Sequence, residues 1–135
     1  LILLATDLSP ASDGAATQAL ALAHDLGADV LVMSAIDQRS TLADGVARRI
    51  DRIRLTRELA AQAVVAKGRQ LGVSVSFLIW DGSAGEAIVE VARNEQVDLV
   101  VVGSHGRGAV GRFLVGSVSE HVVRHAPCPV LVVRA

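Results

Sequence analysis

Strand-sized apolar runs alternate with helix-length segments along this whole chain, and that alternation restricts its fold more than any other feature. A short continuous apolar run fits a strand buried on both faces, whereas apolar residues returning every three or four positions mark one face of a helix. Residues 1–5 (LILLA) are such a run, stopped by Thr6-Asp7, and Ser9-Pro10 then offers an N-cap followed by a proline at the first helical position. The spacing predicts a helix over 10–26, with Ala15, Ala19, Leu22, Ala23 and Leu26 on one face and Gly27 as its stop. Further strands are expected at 29–36, 73–79, 98–102 and 129–133, and further helices at 46–70, from Ala84 onward, and at 117–125. The polar stretch 37–45 reads as a loop. The resulting order, βαβαβαβαβ, predicts an α/β fold: a parallel sheet covered by helices on both faces, because successive right-handed crossovers pack their helices against it. Such sheets take ligands beyond the carboxyl ends of their strands, where the strand order reverses.

Composition sets the scale and removes several classes of function. At 135 residues, 51% of them hydrophobic, the chain reads as one compact domain spanning 1–135. Thirteen Lys+Arg against fourteen Asp+Glu leave a net charge of -1, which speaks against nucleic acid or an anionic membrane as partner. Mean hydropathy is +0.46, yet no apolar run approaches the roughly 18 residues that a spanning helix needs. The single cysteine, Cys128, excludes an intrachain disulfide framework and fits a reducing cytoplasm, the expected location. No secretory h-region opens the sequence, and because a strand is under way by Ile2 the natural start is expected upstream of Leu1.

Five of the twelve glycines fall between 103 and 116, directly after the fourth strand. Glycine permits positive φ and close backbone approach, and Gly116-Ser117 opens a helix whose first N–H groups lack intrahelical partners. Loop amides and the positive end of a helix dipole together make a phosphate site without a lysine. Two familiar phosphate motifs fail. Gly106-Arg-Gly108-Ala-Val-Gly111 spells GxGxxG, but it follows the fourth strand and no acidic residue lies about 20 positions on to hold a ribose. Gly111 to Gly116-Ser117 has the outer spacing of a P-loop, but Ser117 stands where the lysine belongs.

The pattern that fits is Gly-x2-Gly-x9-Gly-Ser, carried by Gly103, Gly106, Gly116 and Ser117. With the opening Thr6-Asp7-Leu8-Ser9 and the tail His125-Ala-Pro127-Cys128-Pro129-Val130, the chain resembles the universal stress protein family over its whole length. The resemblance implies a five-stranded Rossmann-like sheet in the order 3-2-1-4-5, with first and fourth strands adjacent. It also implies the ATP-binding branch, which the full glycine motif marks. On that basis the triphosphate is expected along Gly103, Ser104, Gly106 and Arg107 and against Gly116, Ser117, Val118 and Ser119. Asp7 is expected to accept from the ribose hydroxyls, and the adenine to lie beside Ala35 and Ile36 at the end of the second strand. A carboxylate suits a diol, apolar walls suit a purine and amide donors suit phosphate.

The remaining candidates have plainer explanations. His105 reads as a solvent-facing loop residue. His121 and His125 share a helix face at metal-ligand spacing, but no third ligand accompanies them. Cys128 reads as a small packed residue rather than a redox sensor, and Arg48, Arg49, Arg52, Arg54 and Arg57 as a solvated helix face. Val130 to Val133 would form an apolar edge strand, and the resemblance implies a homodimer through it. The expectation is an ATP-binding stress or signalling domain that acts by binding, with ATP present with or without Mg2+. A nucleotide-independent dimeric interaction module and a slow ATPase or autophosphorylating enzyme stand as alternatives.

Overall fold

The computed structural model describes residues 1–36, 46–104 and 116–134. In chain order its elements are β1 (Ile2–Ala5), a 3-10 turn (Pro10–Ser12), α1 (Asp13–Leu26), β2 (Val30–Ile36), α2 (Val46–Gln70), β3 (Val75–Asp81), α3 (Ala84–Asn94), β4 (Leu99–Gly103), α4 (Ser117–His125) and β5 (Val130–Val133). The strands form one parallel sheet, as the alternation predicts, in the order β3-β2-β1-β4-β5 that the family resemblance implies. The strand order reverses at β1, which lies between β2 and β4.

Each face of the sheet carries its own apolar layer. Ile2, Leu4, Val30, Val32 and Val101 pack under Ala15, Ala19 and Ala23 of α1 and Val64 of α2. Leu3, Ala5, Met33, Val100 and Val102 pack under Ala87, Ile88 and Val91 of α3 and Val122 of α4. Neighbouring strand residues point to opposite faces, so a continuous apolar run such as Ile2-Leu3-Leu4-Ala5 feeds both layers at once. That is why β1 is buried along its whole length. Gly27 sits at φ 64 at the end of α1, a conformation that glycine adopts without the clash a Cβ would bring.

Beyond single-residue differences at the other strand ends, the structure departs from the sequence reading at the first helix and at the third strand. The first helix opens as a 3-10 turn, and Ser9 does not cap it: its hydroxyl donates to Asp7 Oδ1 at 2.6 Å. The third strand runs two residues later than expected. Val73 N–H closes the end of α2 by donating to Gly68 C=O at 2.8 Å, while Asp81 is still paired with Ile36 of β2. Leu26, placed on the apolar face of the first helix by spacing alone, is 68% exposed at the last position of α1. Among the described residues no helix is long and apolar enough to cross a membrane.

Candidate functional site

At the carboxyl ends of the strands, β1 stops at Ala5 opposite Val102 of β4 and Met33 of β2. The chain leaves β1 through Thr6, whose N–H still bonds the Met33 carbonyl at 3.0 Å, and then turns sharply. Leu8 at φ 59 and Asp7 shape that turn: Asp7 Oδ1 accepts from Ser9 N–H at 2.9 Å and from the Ser9 hydroxyl at 2.6 Å. A short acidic side chain bonding the backbone two residues on is a standard turn device, and it holds the half-buried carboxylate at the mouth of the strand. Thr6 supports it from below, accepting from Leu8 N–H at 2.9 Å and donating to Ser12 Oγ at 2.7 Å.

β4 leaves the sheet beside β1. Ser104, 6% exposed, donates its N–H to Val133 C=O at 2.8 Å and accepts Gly116 N–H at 2.8 Å. This second bond draws the start of α4 onto the end of β4, across eleven intervening residues of sequence. The sequence reading offers the glycines two uses, positive φ and close backbone approach, and Gly116 has the second: its φ -60 and ψ 158 are a backbone any residue adopts. Its requirement is space: a Cβ there would stand 3.3 Å from the Ser104 carbonyl oxygen and 3.7 Å from Ser119 Oγ. The intrahelical ladder of α4 starts with Glu120 N–H to Gly116 C=O at 2.9 Å. The N–H groups of Ser117, Val118 and Ser119 therefore have no intrahelical carbonyl to bond, and they carry the positive end of the helix dipole. Ser117 and Val118 are exposed, whereas Ser119 is 3% exposed and donates its hydroxyl to Gly116 C=O at 3.0 Å rather than capping a free N–H.

β2 continues past β1 to Ile36. Backbone groups along a strand alternate in direction, so Ala35, like Met33, turns its N–H and C=O toward the β1 side, where β1 has already ended. Ile36 is turned the other way, and its carbonyl accepts Gly82 N–H at 2.9 Å beside β3. Of the expected site residues, Asp7, Ala35, Gly103, Ser104, Gly116, Ser117, Val118 and Ser119 lie at this one end of the molecule. Ile36 is there too, with its backbone facing β3. Gly106, Arg107 and His105 lie outside the described residues.

Two arginines depart from the reading of a solvated helix face. Arg57 is half-buried, and its Nη1 donates to Ser34 Oγ at 2.9 Å and to the Ala35 carbonyl. Arg54 pairs with Asp81 at the end of β3. The sequence signal was their spacing of three on α2, which puts them on one face with Ala61 and Val64, both buried. His121 and His125 stack with ring centroids 4.3 Å apart, and His125 Nδ1 donates to His121 C=O at 2.9 Å. Burial, with Asp98 nearby, pushes the Cys128 thiol up against a smaller opposing effect of a backbone hydrogen bond with Val100, which keeps it protonated and unreactive near neutrality. Among the described residues no group of three or more His, Cys, Asp or Glu side chains is placed to hold a metal ion.

The α4 terminus has the chemistry to suit an anion and the Asp7 carboxylate that to suit a diol, and both follow the carboxyl ends of the adjacent strands β4 and β1, where the strand order reverses. Comparison with known proteins agrees with this layout. The model of the universal stress protein family matches residues 1–134. A Thermus aquaticus protein, the universal stress protein in the QAH/OAS sulfhydrylase 3′ region, is 37% identical, with 98% of this chain and 97% of that protein aligned. Among solved structures, universal stress protein UspA from Lactobacillus plantarum superposes with a TM-score of 0.90 at 26% identity, covering 98% of this chain and 96% of that one. A universal stress protein family protein from Arabidopsis thaliana with AMP bound shares the fold at a TM-score of 0.74 and 21% identity, covering 98% and 90%. The likeness runs essentially end to end, and the chain belongs to the universal stress protein family.

Proposed function

We propose that this domain binds an adenine nucleotide, ATP in particular, in the crevice between the ends of β1 and β4, and that it works by binding rather than turnover. The observation that carries this reading is the bond from Gly116 N–H to Ser104 C=O, which draws the start of α4, with three N–H groups that lack intrahelical carbonyls, onto the end of β4, the strand next to β1. The phosphates would lie on Ser117, Val118 and Ser119 and along Gly103, Ser104, Gly106 and Arg107. Asp7 would accept from the ribose hydroxyls, and the base would lie by Ala35 and Ile36. Mg2+, where present, would be carried by the phosphate oxygens. The AMP held by the Arabidopsis family member supports an adenine nucleotide as the class of ligand. Reversible binding of this kind suits a stress or signalling role in the cytoplasm, the compartment that a chain with one cysteine fits.

The test is to denature the purified protein, chromatograph any nucleotide released, and titrate ATP, ADP, AMP and cyclic AMP, with and without Mg2+, into ligand-free protein. We expect adenine nucleotide to bind near one per chain, and Gly116→Val to weaken it at least about a hundredfold; because a Cβ there also stands 3.3 Å from the Ser104 carbonyl, some stability is lost as well, and circular dichroism of the variant separates obstruction of the phosphates from unfolding. Absence of binding by the unmodified protein would overturn the reading in favour of a nucleotide-independent interaction module.

We also propose a homodimer formed through β5. Pro129 C=O accepts from Val100 and Val133 C=O from Ser104, so odd-numbered β5 residues face β4. Val130 and Val132 then turn their N–H and C=O groups outward, a free edge suited to pairing with a second copy.

A further inference from the structure

Arg57 is the one charged side chain among the described residues for which a hydrogen bond to the open end of β2 is seen, and the crevice as described gives it no role. Its guanidinium comes from α2, on the same side of the sheet as Ser34, and donates from one nitrogen to the Ser34 hydroxyl at 2.9 Å and to the Ala35 carbonyl. That carbonyl faces the β1 side past the end of β1, whereas the Met33 carbonyl before it accepts from Thr6 and the Ile36 carbonyl after it faces β3 and accepts from Gly82; a carbonyl has two lone pairs, so the bond from Arg57 leaves it able to accept a second donor. β3 holds one side of this strand end through Ile36 and Asp81, and on the side that has outrun β1 a charge-assisted pair of bonds from a helix does so.

We infer that Arg57 is a positioning residue that determines which purine base the crevice accepts, by fixing the direction of the Ala35 carbonyl and the end of β2. This rests on the reading that the base lies beside Ala35. A fixed acceptor favours the exocyclic amine of adenine and repels the carbonyl that guanine presents at the same place, and such discrimination depends on the acceptor being held still. Ribose and phosphates are met by other elements, Asp7 after β1 and the start of α4, so loss of Arg57 acts on the base and not on the phosphates.

The experiment compares ATP, GTP and inorganic tripolyphosphate by calorimetric titration of the unmodified protein, Arg57→Met and Arg57→Lys. Arg57→Met keeps the apolar stem and removes the donors; Arg57→Lys keeps a charged donor. The expected result is that Arg57→Met lowers the preference for ATP over GTP about tenfold, leaves tripolyphosphate affinity unchanged, and that Arg57→Lys recovers most of the lost preference. An unchanged ATP-to-GTP ratio in Arg57→Met overturns the inference, and so does an equal loss for all three ligands, which would make Arg57 a tie for the whole fold. Should Arg57→Met fail to fold, Arg57→Gln is held to the same two criteria. If the unmodified protein binds none of the three, the nucleotide reading itself falls and this inference with it; if it binds ATP and only the ratio fails to move, the nucleotide reading stands alone.

Discussion

Asp7 holds a turn and, in the proposed reading, meets the ribose with the same carboxylate; substitution separates the two. Its Oδ1 holds the turn through Ser9, and its charge is what a ribose diol would meet. Asp7→Asn keeps an acceptor for both Ser9 donors, so unfolding by urea is expected to stay within about 0.5 kcal/mol of the unmodified protein while ATP binding weakens about tenfold. Asp7→Ala removes the acceptor as well, and about 1 kcal/mol of stability should go with the binding. Equal ATP affinity in all three would take Asp7 out of the site and leave it a turn residue. The sequence makes Asp7 visible as a polar stop after an apolar run, yet its use by Ser9 depends on the positive φ of Leu8, which no spacing rule reveals. Arg57 was partly hidden for a related reason. Its spacing with Arg54, Ala61 and Val64 marks the inward face of α2, but how far each of the six arginines on that helix reaches depends on how α2 packs over β2.

At the scale of elements, helix and strand identities follow directly from apolar periodicity, while their ends depend on contacts made elsewhere. β3 is the clearest case: Val73 satisfies the strand pattern but is used to close α2 on Gly68, and Asp81 breaks the pattern but is carried along by Ile36. The same junction offers a measurement. A Cβ on Gly68 would stand 2.3 Å from Val75 Cγ2 and 3.2 Å from Val73 C=O, so α2 approaches β3 more closely than any side chain allows. Ordinary helix propensity favours alanine over glycine by about 1 kcal/mol. Here the clash should win, and Gly68→Ala is expected to lower the unfolding free energy by about 1–3 kcal/mol in urea denaturation. A stabilised variant would show that α2 shifts freely over the sheet edge.

At the scale of the molecule, the sheet has two edges among the described residues, β3 and β5. If β5 pairs with a second copy through its backbone, Val132→Pro removes an outward N–H and leaves the bonds to β4 intact. Light scattering should then show the unmodified chain as a dimer and the variant as a monomer of similar thermal stability. A monomer before substitution, or a dimer after it, would place the contact elsewhere. The order of strands across this sheet was reached from the sequence through its likeness to a family, whereas the layering of helices on both faces follows from the alternation alone, because each crossover has only one favourable hand.

The sequence by itself determined the element types, the parallel sheet and the two-faced burial of β1, since each depends on residue order within one segment. Only the tertiary structure decided that Gly116 is needed for space and not for φ, that Ser104 receives it, that the backbone of Ile36 faces β3 while that of Ala35 faces the crevice, and that Arg57 closes the end of β2. Those facts arise where segments distant in the chain come within hydrogen-bonding distance. Local periodicity fixes which face of an element is apolar, but not how far one element slides or turns against the next, and a displacement of one residue changes every polar partner at the site.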